Sequence, residues 1–118
     1  MRLLWLAIAG VVMLAGSASA SEAGDRQAYG YAIKCFVVNA VAADNDRERG
    51  NAVRAAAFDA KSKHSFDGAV TIGRKLGLSN RQMNHDFDEA QAVELPHMVR
   101  DATYYESEIG TCKALRLM

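Results

Sequence analysis

The stretch from Arg26 to Ala43 constrains this chain more than any other. Read at 3.6 residues per turn, it carries two apolar stripes. Tyr29, Ile33, Phe36 and Ala40 form one, and Ala28, Tyr31, Cys35, Val38 and Ala42 form a second on a different face. Lys34 and Asn39 are the polar interruptions. A helix apolar nearly all round has little use for a solvent face, so it belongs at the centre of a bundle with neighbours on several sides.

What precedes that stretch sets the compartment. The chain opens with Arg2, continues through the apolar run Leu3 to Leu14, and reaches the small residues Ala15 to Ala20. This is the three-part pattern of a secretory leader with a small-x-small cleavage site after Ala20. Its apolar core, about twelve residues, is too short to cross a bilayer of roughly 30 Å. Two regions are therefore expected, a cleaved leader over 1–20 and one small domain over 21–118. The domain, about 98 residues, is long enough for one core and too short for two. The short, alanine-rich leader points to export into a periplasm or beyond.

Cys35 and Cys112 are the only cysteines, and an oxidising compartment pairs thiols that come within bonding distance. A Cys35–Cys112 bond is expected, joining the first helix to the last. Closing a loop of this length stabilises a fold by about 4 kcal/mol in the chain-entropy picture. A catalytic thiol is disfavoured, since Lys34 and Lys113 are the sole neighbouring groups that would lower a cysteine pKa.

Beyond the first helix, residues 44–51 are polar and read as a connection. A second helix follows, with Val53, Ala56, Ala57 and Ala60 on its inward side. A third carries Phe66, Ala69, Val70, Gly73 and Leu76. Gly77 followed by Leu78 suits a glycine cap with its hydrophobic contact, and Ser79 with Gln82 makes a capping box immediately afterwards. The next helix bears Met83, Phe87, Ala90 and Leu95 and meets Pro96, where it is expected to kink or end near Leu95. Asp101 caps a last helix with Tyr105, Ile109, Cys112 and Leu115. No useful strand-like alternation occurs. The fold class is all-α, a small bundle of four or five short helices stapled by one disulfide between the first and last.

Phe-Asp recurs at Phe58-Asp59, Phe66-Asp67 and Phe87-Asp88, at unequal intervals that fit no repeat period. An inward aromatic followed by an outward acid explains each. Glycines 30, 68, 73 and 110 fall within helical stretches, where each costs up to about 1 kcal/mol against alanine. Close helix approach is the expected compensation.

Few constellations carry chemistry. Asp44, Asp46 and Glu48 sit at the first three ligand positions of a calcium loop, but Arg49 replaces its glycine and Ala55 its bidentate glutamate. A solvated turn is expected instead. His85 and Glu89 share a helix face, and Glu94 with His97 makes one Glu-x-x-His, half of what a carboxylate-bridged di-metal bundle needs. These four are the metal candidates, weighed against an exposed polar face with i, i+4 pairs. Nucleophile elbows, paired-histidine zinc motifs and phosphate loops are missing, so no catalytic residue and no cofactor is assigned. Tyr29, Tyr31, Tyr104 and Tyr105 lie near the disulfide-joined segments and are candidates for a shared interface patch or for the core.

Charge supports a similar conclusion. The chain has 14 basic and 14 acidic residues, and losing Arg2 with the leader leaves the domain slightly acidic. Without a basic stripe no nucleic-acid partner is expected, and no membrane span remains after cleavage. The expected function is a non-enzymatic exported module that binds another protein, as an inhibitor, immunity partner or envelope accessory. The alternatives are a periplasmic stress or acid chaperone, and a metal-binding protein using His85, Glu89, Glu94 and His97.

Overall fold

A computed structural model of the chain describes the backbone of residues 2–118 and the side chains of residues 21–118. The leader expected over residues 1–20 lies outside the residues described in full. Among the described residues there are four helices and no strand. They are α1 (Arg2–Glu48), α2 (Ala52–Lys75), α3 (Asn80–Arg100) and α4 (Ala102–Ala114). No helix among them is long and apolar enough to cross a membrane.

α1 is the central helix, as its double stripe demands. Ala32, Ile33, Cys35, Val37, Val38, Asn39, Ala42 and Ala43 are all buried, and α2, α3 and α4 each pack on it. Asp25 lies within α1, its carboxylate 3.1 Å from Lys75 Nζ. The C-terminal end of α1 differs from expectation. Asp44 to Glu48 are helical rather than a connection, and the turn is confined to residues 49–51. Gly50, at φ 78°, closes it while the Asn51 amide donates to the Asp46 carbonyl. Helical Asp44 and Glu48 cannot form the calcium-type loop. Asp44 pairs with Arg47 instead, and buried Asp46 lies 3.7 Å from Arg54.

The segments read as a second and a third helix are one helix, α2, because no glycine or proline separates them. Asn51 caps it by accepting from the Arg54 amide. Its inward side is also different: Ala55, Ser62, Ser65, Ala69 and Gly73 are buried, while Val53 is 83% exposed and Ala56, Ala57 and Ala60 face water. Small residues let α2 settle closely along α1, and the Ser62 hydroxyl donates to the Phe36 carbonyl at 2.9 Å. At Gly73 an added Cβ would lie 2.5 Å from Met83 Sδ, so this glycine does serve packing. Gly30, Gly68 and Gly110 have open space at the same position, and close approach does not explain them.

The stop between α2 and α3 follows the expected pattern. Gly77 adopts φ 79°, the Leu78 amide reaches back to the Gly73 carbonyl, and Ser79 with Gln82 completes the capping box. α3 runs through Pro96 to Arg100. Pro96 and Ala92, whose carbonyl loses its helical donor, both lie on the exposed side, where water can take up that carbonyl. Asp101 ends α3 and starts α4: its amide donates to the His97 carbonyl and its side chain accepts from the Tyr104 amide. Met83 and Phe87 are buried as expected, Ala90 is half-buried, but Leu95 and Leu115 are partly exposed.

Among the described residues two core clusters result. One joins Tyr29, Ala32 and Ile33 to Ala69, Met83 and Phe87. Beside it Phe36, Phe66 and Phe87 meet in tilted and edge-to-face pairs with centroids 4.6 to 5.7 Å apart, so two of the three Phe-Asp aromatics meet. The other joins Cys35, Val37 and Val38 to Met98 and Cys112, with the Cys35–Cys112 disulfide at its centre.

Candidate functional site: the cleft between α1 and α3

Where α1 and α3 lie side by side, their small residues leave an open cleft. Gly30 and Ile33 from α1 and Ala90 and Val93 from α3 make its apolar floor. Asp86, Glu89 and Glu94 line the same cleft, and no basic residue does. Helical spacing explains this placement: residues 86, 90 and 93 rise along one face of α3, with 89 and 94 flanking them. Val93 is 60% exposed. From Val93 an apolar arc continues around α3 through exposed Pro96 and Ala92 to Val99, which is 78% exposed.

The walls of the cleft are held by hydrogen bonds. Tyr29 is buried beside it and donates its hydroxyl to Asp86 Oδ2 at 2.8 Å. Burial first, then that hydrogen bond and the carboxylate's charge, push the Tyr29 hydroxyl well above the ordinary tyrosine range. At the other end Glu94 accepts a hydrogen bond from the Tyr104 hydroxyl and lies 3.9 Å from Lys34 Nζ. Lys34 is also 3.4 Å from Glu108, whose buried Oε2 is out of line for a hydrogen bond. One half-buried cation thus faces two shielded carboxylates, tying α1 to α3 and α4. Burial is also the main cause raising the Tyr104 hydroxyl, ahead of Glu94 and Glu108.

The four metal candidates take separate places. His85 pairs with Glu89 at 3.3 Å on an exposed turn of α3. Glu94 is engaged by Tyr104 and Lys34. His97 stacks flat on the Tyr104 ring at 3.6 Å and lies 4.0 Å from Asp101. His85 and His97 are twelve residues apart on one helix, about 18 Å along its axis. Among the described residues no three His, Cys, Asp or Glu side chains gather where they would hold a metal ion.

Nor do the four tyrosines form one patch. Tyr29 belongs to the first core cluster, whereas Tyr104 and Tyr105 pack against the second. Tyr31 lies along a different groove with Leu115 and Leu117. Sequence reasoning marked Glu89 and Glu94 for metal, but missed Asp86 and Val93 as cleft residues. The available signal was Val93 itself, an apolar residue off the Met83–Phe87 stripe.

Asn39, the second polar interruption of α1, is fully buried and donates to the carbonyls of Cys35 and Leu117 at 2.9 and 2.7 Å. Both interruptions therefore have structural uses: Lys34 meets α3 and α4, and Asn39 holds the segment after α4. No family model matches this chain, and neither a curated protein nor a solved structure is significantly similar to it.

Proposed function

We propose that the chain is exported by its N-terminal leader and acts outside the cytosol as a non-enzymatic helical module that docks another protein. Inhibitor, immunity partner and envelope accessory are the roles that fit. The observation that carries this reading is the exposed apolar surface running from the α1–α3 cleft through Val93 to Val99. Contiguous exposed apolar surface marks interaction sites, whereas apolar side chains exposed singly do not. Support for export comes from the buried disulfide, which suits an oxidising compartment.

The reading is tested with a photo-crosslinking residue placed at Val93 or at Lys63, which lies outside the cleft, in cells producing the protein. A discrete adduct from position 93 and none from position 63 is expected. Equal labelling from both positions, or none from either, refutes docking at the cleft. The mass of the envelope-derived protein under non-reducing conditions checks export: loss of residues 1–20 and no free thiol are expected.

A further inference from the structure

We infer that the cleft's partner is a cationic amphipathic helix. This rests on the docking reading above and concerns what kind of surface docks.

The shape of the site selects a helix. Among the described residues there is no strand, so no sheet edge is offered to an extended peptide. The α1 and α3 walls, with Gly30 and Ala90 in the floor between them, instead form a trough that accepts the apolar face of a third helix. From Asp86 to Glu94 the lining extends about 12 Å along α3, the length of about eight helical residues. Apolar anchors at i, i+3 or i+4, and i+7 would fill it. Gly30 is part of this fit: a Cβ there would meet nothing within 4 Å, so the floor is left open to an incoming side chain.

Charge selects the sign. Asp86, Glu89 and Glu94 all line the cleft. Lys34, the cation nearest Glu94, is shared with Glu108 and so offsets the rim only in part. His85 pairs with Glu89 at 3.3 Å and does not line the cleft. A helix with Lys or Arg flanking its apolar stripe would meet three carboxylates, while an acidic helix would be repelled. The same argument disfavours a second copy of this chain seated face to face, since a two-fold contact would oppose one acidic rim with another.

The test uses the oxidised full chain and the anisotropy of fluorescein-labelled peptides of about sixteen residues, about two turns longer than the trough. Three peptides are compared: a Leu/Lys amphipathic helix, its Leu/Glu counterpart, and a Leu/Lys sequence of equal composition scrambled to remove the face. Saturable binding of the first is expected, with the other two weaker by on the order of tenfold or more. Raising salt from about 50 to about 300 mM should weaken the Leu/Lys complex several-fold. Glu89→Lys and Val93→Asp should each reduce affinity by about tenfold, while Glu106→Lys, on exposed α4 surface, should leave it unchanged. Thermal melts of each variant check that the fold is intact. Glu89 is exposed and pairs only with His85, so its substitution separates charge from folding.

Equal binding of the scrambled or Leu/Glu peptide, or indifference to Glu89→Lys, overturns the cationic-helix inference. So does concentration-dependent dimerisation that Val93→Asp abolishes, which would assign the cleft to a second copy. If the position-93 crosslink persists while the peptide preference fails, docking stands and the partner's chemistry is different. If neither is seen, both readings fall.

Discussion

Two neighbouring stretches of α1 are gripped in different ways. Around Tyr29 to Ile33, the core is built by three helices, and the buried partners Ala69, Met83 and Phe87 are held there by packing and the neighbouring Tyr29–Asp86 hydrogen bond, with no covalent link. Around Cys35 to Val38, α4 contributes Cys112 as its one buried apolar residue, and its other buried residue is Glu108. α4 has 13 residues, and a helix of that length is marginal in water without tertiary support. The contrast teaches that covalent linkage stands in where a short helix has too little apolar surface to hold itself. α2 and α3 are long enough to manage without it.

The strongest way to break that comparison is to remove the bond. Cys35→Ser with Cys112→Ser should cost about 4 kcal/mol, read by chemical denaturation. Hydrogen exchange should show α4 amides losing protection before those of α1 to α3; uniform loss would mean that α4 is no more dependent on the bond than the rest. Next is Lys34→Met, which leaves Glu94 and Glu108 without their shared cation. A loss of about 1–2 kcal/mol is expected for this partly exposed site. Glu108→Gln in the same background should recover part of it, because only one charge then remains to be accommodated.

Gly73→Ala sharpens the packed half. The new Cβ would crowd Met83 Sδ and Tyr29, and this outweighs the better helix propensity to give a net loss of about 1 kcal/mol. Gly68→Ala and Gly110→Ala, with open space at the same position, should stabilise by up to about 1 kcal/mol each. Opposite signs from one substitution type in one chain make the comparison easy to score in thermal melts.

The smallest effect is invisible at neutral pH. Tyr29 in the packed half and Tyr104 in the stapled half both have hydroxyls raised by burial and a carboxylate acceptor. A phenol whose folded pKa exceeds its unfolded value keeps its proton longer when folded. Its contribution is complete below the unfolded value, about 10, and is lost as pH rises above it. Denaturation midpoints should fall above that pH, and Tyr29→Phe or Tyr104→Phe should flatten the decline. Phenolate absorbance should show both rings ionising later than an exposed tyrosine.

Much of the frame was readable before any coordinates. The Gly77–Leu78 stop, the Ser79–Gln82 box and the Asp101 cap each depend on residues within a turn of one another, and each occurs as expected. So does the central place of α1, because a helix apolar on most sides has few alternatives. The faces of α2 were not readable. Its alanines make every side equally plausible, and the buried side was settled by which small residues, Ser62, Ser65 and Gly73 among them, let α1 come close. Pro96 left two outcomes open for a related reason: whether the helix ends there depends on whether water reaches the Ala92 carbonyl. The surroundings of the metal candidates were not readable either: helical spacing placed Glu94 near His97 without revealing that Tyr104 and Lys34 had claims on it.

Composition and short-range pattern were enough to specify helices, their caps, a middle helix and a pair of cysteines destined for each other. They act over a few residues, where backbone geometry leaves few choices. The acidic cleft and the cation shared by two carboxylates depended on the assembled bundle. Tyr29 meets Asp86 across 57 positions of chain, and Lys34 finds Glu108 at a comparable remove. Such meetings are set by how three helices pack, which no local stretch encodes.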